Sequence, residues 1–179
     1  MQLQTTREDH LIAWLTALAV VIHIAESAIP APIPGFKPGL ANIVSVVVLC
    51  LYGWRIAAWV TVLRIVVGSL LAGTFLSPAF LLAVGGGIAA LAVLAAATTL
   101  PGRGFGPIGF SLLAAMAHMA GQFSIAWLLF IPHPALFYLL PILMTLAVLL
   151  GVGNGIIAQS IVLRLPTREN PQPATEPPA

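Results

Sequence analysis

The chain has 179 residues, of which 60% are hydrophobic and only 7% are charged, and its formal net charge is +2. Its mean hydropathy is +1.06. A soluble domain of this size cannot bury so much apolar surface, so the composition predicts an integral membrane protein. The small net charge argues against a nucleic-acid partner, and the single cysteine excludes an intrachain disulfide.

Six apolar segments predict six transmembrane helices, because they are long and lack the alternation of barrel strands. The fold class is therefore an all-α integral membrane protein, a six-transmembrane-helix bundle at 11–165. A cytoplasmic N-terminus at 1–10 precedes it, and a disordered, Pro-rich cytoplasmic tail at 166–179 follows. Pro141 is expected to bend the sixth helix or mark a late start. The predicted helices are Leu11–Ile29, Leu40–Tyr52, Arg55–Leu71, Pro78–Leu100, Ile108–Phe130 and Pro134–Leu163.

Basic residues predict the orientation. With six spans, both termini share one side, which takes five arginines, whereas the opposite side takes only Lys37. Basic loops favour the cytoplasm, so we expect a multi-pass protein of the bacterial cytoplasmic (inner) membrane with both termini cytoplasmic. The five arginines are Arg7, Arg55, Arg103, Arg164 and Arg168.

A polar segment from Glu26 to Asn42 separates the first two apolar stretches and holds the only lysine, Lys37. Arg64 lies near mid-membrane in the third helix, where an arginine costs about 2.5–3.5 kcal/mol on insertion scales. Glu26 is the acid best placed to compensate it. Two interpretations stand side by side: a structural Glu26–Arg64 ion pair, or a site in which Arg64 or Lys37 holds an anionic ligand group.

The fifth helix carries a polar face, since Ser111, His118 and Gln122 are spaced by seven and four residues. Hydrogen bonding between helices explains this face as well as a ligand does. Asn42 opens the second helix, where it either caps the helix or points into the site.

These polar residues come from four predicted helices and converge on one outward-opening cavity, which favours a binding pocket. We expect no catalytic residue, no metal ligand and no cofactor, because no nucleotide loop, metal-ligand pair or nucleophile elbow occurs. The predicted substrate-binding residues are Glu26, Lys37, Asn42, Arg64, His118 and Gln122.

Pairs of small residues four apart permit close helix approach. Such pairs occur in the first, fifth and sixth predicted helices. They are Ala13 with Ala17, Ala117 with Gly121, and Gly151 with Gly155.

Three blocks of sequence together resemble the Gx transporter family, whose members are often labelled heptaprenyl diphosphate synthase component I. The resemblance covers nearly the whole chain from the first helix to the sixth, although Met119 stands where the family tends to have Asn. The blocks are Glu26-x3-Pro30…Gly35-x-Lys37-x-Gly39-Leu40-Ala41-Asn42, Leu63-Arg64-x3-Gly68-Ser69-Leu70, and Pro107-Ile108-Gly109-x-Ser111…Ala117-His118-x2-Gly121-Gln122.

The family is similar to the S components of energy-coupling factor (ECF-type) transporters. The resemblance implies an S-component-like bundle with a ligand site near the outer face. It also implies that Ala13 and Ala17 dock a coupling transmembrane protein. Prenyl transfer needs aspartate-rich clusters for magnesium, and Asp9 is the only aspartate. The chain is therefore not expected to be an enzyme on its own.

Two hypotheses follow. The first is a membrane-embedded, substrate-binding component of a transporter for a small amphipathic or anionic molecule of the vitamin or isoprenoid type, working with a coupling protein and ATPases. The second is a non-catalytic membrane subunit that anchors or regulates a quinone- or polyprenyl-pathway enzyme or a membrane redox complex.

Overall fold

The structure is a computed structural model, and it describes residues 6–28, 39–100 and 105–165. Within these ranges the fold is all-helical. A π-helical turn, Ala126–Phe130, continues the fifth helix, and a 3₁₀ helix, Pro134–Leu139, precedes the sixth. The six α-helices are α1 (Arg7–Ala28), α2 (Leu40–Tyr52), α3 (Trp54–Leu71), α4 (Pro78–Thr99), α5 (Pro107–Ile125) and α6 (Leu140–Arg164).

Five of these helical segments are long and apolar enough to cross a membrane, and α2 is the exception. Its 13 residues give a length of about 20 Å at 1.5 Å per residue. The hydrocarbon core of a bilayer is about 30 Å thick. An all-helical membrane bundle is therefore confirmed, with six α-helices and five candidate spans among the described residues.

The helix ends follow local chemistry. The predicted bounds of α2 agree with the structure because Gly39 and Gly53, both at positive φ, flank it. The sixth helix begins late, at Leu140, with Pro141 in its first turn. Proline is accepted there because its missing N–H would have no partner within the helix.

The core surrounds α2, which packs against α1, α3, α5 and α6. Val46, Val48 and Val60 are the largest side chains that are almost fully enclosed. Two of them belong to α2, so this short helix has a mostly protein environment. A helix too short to span can therefore stand inside the bundle without exposing its ends to lipid.

Glycines permit the closest helix contacts. A Cβ on Gly121 of α5 would lie 2.5 Å from the backbone oxygen of Gly85 on α4. A Cβ on Gly155 of α6 would lie 2.7 Å from the Cα of Ile108 on α5. The small-residue pattern therefore marks real helix contacts at Gly121 and Gly155.

Candidate functional site

The N-terminus of α2 is held by an acid from α1. The Glu26 carboxylate accepts hydrogen bonds from the backbone N–H groups of Gly39 and Leu40, the latter at 3.2 Å. Glu26 is only 3% exposed. The first N–H groups of a helix lack partners within the helix and carry its positive dipole end. The buried Glu26 carboxylate accepts from two of these N–H groups and places a negative charge at the positive end of the helix dipole.

The carbonyl of Gly39 is held from two other directions. It accepts from the backbone N–H of Asn42 at 2.8 Å and from Nδ2 of Asn154 on α6 at 3.3 Å. Gly39 has a φ of 75°, a left-handed conformation that glycine adopts without steric cost. The turn into α2 therefore depends on a glycine together with polar groups from α1 and α6.

Arg64 of α3 is buried beside this turn. Its Nη2 donates to Oδ1 of Asn42 at 3.1 Å, and the Glu26 carboxylate is near enough to interact electrostatically with the guanidinium. The predicted direct Glu26–Arg64 ion pair is not among the contacts of the described residues. Glu26 instead accepts through Oε1 from the backbone at the start of α2, and Arg64 donates to Asn42.

The helices that carry these side chains place the cluster deep in the bundle. Arg64 lies seven residues before the end of α3 at Leu71, which is about 10 Å along the axis. Asn154 lies fourteen residues after the start of α6, about 21 Å along it. α2 therefore begins well inside the bundle, where its first backbone N–H groups need hydrogen-bond partners from the protein.

His118 and Gln122 of α5 face α4 at Gly86. A Cβ on Gly86 would lie 2.8 Å from the His118 ring and 2.8 Å from Cγ of Gln122. His118 is also near enough to Arg64 for the guanidinium charge to act on the imidazole. The structure thus brings Glu26, Asn42, Arg64 and His118 into one neighbourhood, with Gln122 beside His118.

Three further predicted positions remain, one for ligand binding and two for partner docking. Lys37 is outside the described residues. Ala13 and Ala17 are exposed on α1, next to Trp14, which is 77% exposed. This surface is therefore separate from the buried polar cluster.

Sequence reasoning missed Asn154, which is buried. An amide within an apolar helix is a detectable sign of such a role, because polar groups inside membrane helices seek partners. It also missed the buried Thr61–Ser45 contact, in which the Thr61 hydroxyl donates to Ser45 Oγ at 3.0 Å and links α3 to α2.

The cluster offers a guanidinium, an imidazole and amides, which are suited to holding an anion. Among the described residues, no group of three or more His, Cys, Asp or Glu side chains is placed to hold a metal ion. Two cavities were found away from the cluster. One of about 240 Å³ lies between α5 and α6, and the other, of about 520 Å³, lies where α1 begins. Neither is lined by the cluster.

Comparison with known proteins shows the family of the chain. Neither the curated proteins nor the solved structures give a match to the chain. The family model described as heptaprenyl diphosphate synthase component I matches residues 15–161, a stretch that runs from α1 to α6 and includes Glu26, Arg64, His118 and Asn154. The chain therefore belongs to the heptaprenyl diphosphate synthase component I family.

Proposed function

We propose that the protein is a membrane-embedded binding component that holds the anionic group of a small amphipathic molecule at Arg64. One observation carries the proposal. Arg64 is 6% exposed, and its hydrogen bond to a described residue goes to a neutral amide, Asn42. A guanidinium has five N–H donors and binds carboxylate or phosphate in a bidentate manner.

The engagement of Glu26 supports the proposal. Its carboxylate accepts from Gly39 and Leu40, and its negative charge lowers the cost of burying Arg64 through space. Arg64 is thus electrostatically tolerated, and the proposal requires that part of its guanidinium be open to a ligand. His118 and Gln122 would line the same space, and Lys37 would complete it.

The class of molecule follows from the surroundings. The helices around the cluster are apolar, so a ligand with an apolar body and an anionic head fits best. Asn42 at the start of α2 contacts Arg64, so a movement of this helix end would open the guanidinium to a ligand. A transporter of this kind would need a coupling protein and ATPases, and Ala13 with Ala17 would form the docking face.

A second candidate function rests on the same exposed face. The family name refers to a component of heptaprenyl diphosphate synthase, and α1 presents Ala13 and Ala17 at its surface. In that case the protein would anchor a catalytic subunit or a redox partner, and the polar cluster would serve only to hold α2.

Mass spectrometry of small molecules that co-purify with the detergent-solubilised protein tests the first function. Arg55 provides a matched control, because it is an exposed arginine on the same helix. We expect an anionic compound with the wild type and with Arg55→Gln, and its loss with Arg64→Gln. The same compounds at the same level in all three preparations would overturn the binding role.

The anchoring function predicts a different result. Co-purification of a prenyl-synthase catalytic subunit should then be abolished by Ala13→Leu with Ala17→Leu and unaffected by Arg64→Gln. An unchanged yield of the catalytic subunit with Ala13→Leu plus Ala17→Leu would count against anchoring through this face.

A further inference from the structure

A cavity of about 520 Å³ lies at the end of the bundle where α1 begins and where α2 and α6 end. Ligand pockets in proteins typically measure about 300–1,000 Å³, so this cavity has the size of a binding site, whereas the 240 Å³ cavity between α5 and α6 falls below that range. It is lined by Arg7, His10, Leu11, Trp14, Leu51, Tyr52 and Leu165.

The polar side chains of the lining are all hydrogen-bond donors. Arg7 presents its guanidinium, and His10, Trp14 and Tyr52 each carry an N–H or O–H group. No acidic side chain of the described residues lines the cavity. The nearby carboxylate of Asp9 accepts from Thr6 at the start of α1. A lining of donors without a carboxylate favours an anion.

The remaining walls are apolar. Leu11, Leu51 and Leu165 come from three different helix ends, so α1, α2 and the end of α6 each contribute an apolar side chain to the cavity. Tryptophan and tyrosine prefer the level of the lipid headgroups because one end of each ring is apolar and the other is polar. The combination suits a molecule with an anionic head at this level and a hydrocarbon chain directed into the bundle.

We propose that this cavity binds the head and the first part of the chain of a phosphate-bearing, anionic amphiphile. Arg7 contacts the phosphate, the Tyr52 hydroxyl donates a second hydrogen bond, and the leucines contact the chain. The site is separate from Arg64, because none of its lining residues belongs to the polar cluster at the start of α2.

Native mass spectrometry of the full-length protein in dodecyl maltoside, titrated with dodecyl phosphate, tests the proposal. Arg7→Gln should weaken binding about tenfold, the effect of one charge-assisted hydrogen bond, and Tyr52→Phe should weaken it less. Arg55→Gln is the matched control, an exposed arginine outside the cavity lining, and should leave the affinity unchanged.

Further probes distinguish whether the phosphate group belongs to a membrane lipid or to a soluble metabolite. If the occupant is a leaflet lipid, phosphatidylglycerol should remain bound after release from nanodiscs that contain equal phosphatidylglycerol and phosphatidylcholine, and Arg7→Gln should reduce this retention. If it is a soluble metabolite, dodecyl phosphate should bind while no phosphatidylglycerol is retained. Equal affinity of the wild type and Arg7→Gln, or binding of dodecyl phosphate no tighter than that of inorganic phosphate, would overturn the proposal.

Discussion

Glu26 combines two tasks at the residue scale. Its carboxylate accepts from two backbone N–H groups at the start of α2, and its charge acts on Arg64 through space. Because it is buried, no water replaces it when it is removed. A single carboxylate from α1 thus determines whether the first backbone N–H groups of α2 have a hydrogen-bond acceptor.

Replacing Glu26 should therefore destabilise the protein. Glu26→Ala leaves the N–H groups of Gly39 and Leu40 without their acceptor, which costs about 1–3 kcal/mol for buried groups. Glu26→Gln keeps one acceptor oxygen and should cost less. Thermal unfolding in detergent measures the difference. Glu8→Ala, which changes an exposed acid on the same helix, is the control; equal melting temperatures for Glu8→Ala and Glu26→Ala would contradict the assigned role.

Part of this cluster was predictable from sequence and part was not. That Arg64 is intramembrane and electrostatically compensated follows from its place in an apolar segment. Its hydrogen-bond partner did not follow, because sequence does not reveal that Glu26 is engaged by the turn at Gly39. Asn154 contacts Gly39 across 115 residues of chain, and such a contact depends on which helices are neighbours.

At the element scale, α2 is the unusual helix. It begins beside the middle of α3 and ends at Tyr52, so only Gly53 separates it from the start of α3. Its position was predictable, because Gly39 and Gly53 mark its ends, but its depth was not, since depth depends on packing among four other helices. The π-helical turn after α5 also escaped prediction, because its residues continue the apolar helical pattern.

Close packing of α4 on α5 leads to a second stability prediction. A Cβ on Gly121 would lie 2.5 Å from a backbone oxygen of Gly85, and a backbone atom cannot move away as a flexible side chain can. Gly121→Ala should therefore separate the helices and cost about 1–3 kcal/mol. We expect a lower melting temperature and weaker binding at the His118 face.

Gly153 provides the matched control for this substitution. It lies within α6, and a Cβ there meets nothing within 4 Å. Gly153→Ala should be neutral or stabilise the protein by up to about 1 kcal/mol, because alanine is the better helix former. If Gly121→Ala and Gly153→Ala melted at the same temperature, the close α4–α5 contact would not contribute to stability.

For the whole molecule, the all-helical membrane class followed directly from composition and from the lengths of the apolar segments. The number of crossings did not follow, because α2 is too short to be assigned as a span by length. The packing of the helix ends indicates whether the number of crossings is even or odd. Arg7 from the start of α1 and Leu165 from beyond the end of α6 line the same cavity, so both ends of the bundle-forming chain lie at one end of the structure.

This arrangement predicts an even number of crossings with both termini on one membrane face, and the basic residues predict that this face is cytoplasmic. Single cysteines at Glu8, Ala72 and Leu165, all exposed positions, test it in a Cys50→Ala background. A membrane-impermeant thiol reagent should label Ala72→Cys in intact spheroplasts, and Glu8→Cys and Leu165→Cys only after permeabilisation. Different accessibility of the two terminal positions would mean an odd number of crossings, whereas labelling of both from outside would mean the opposite orientation.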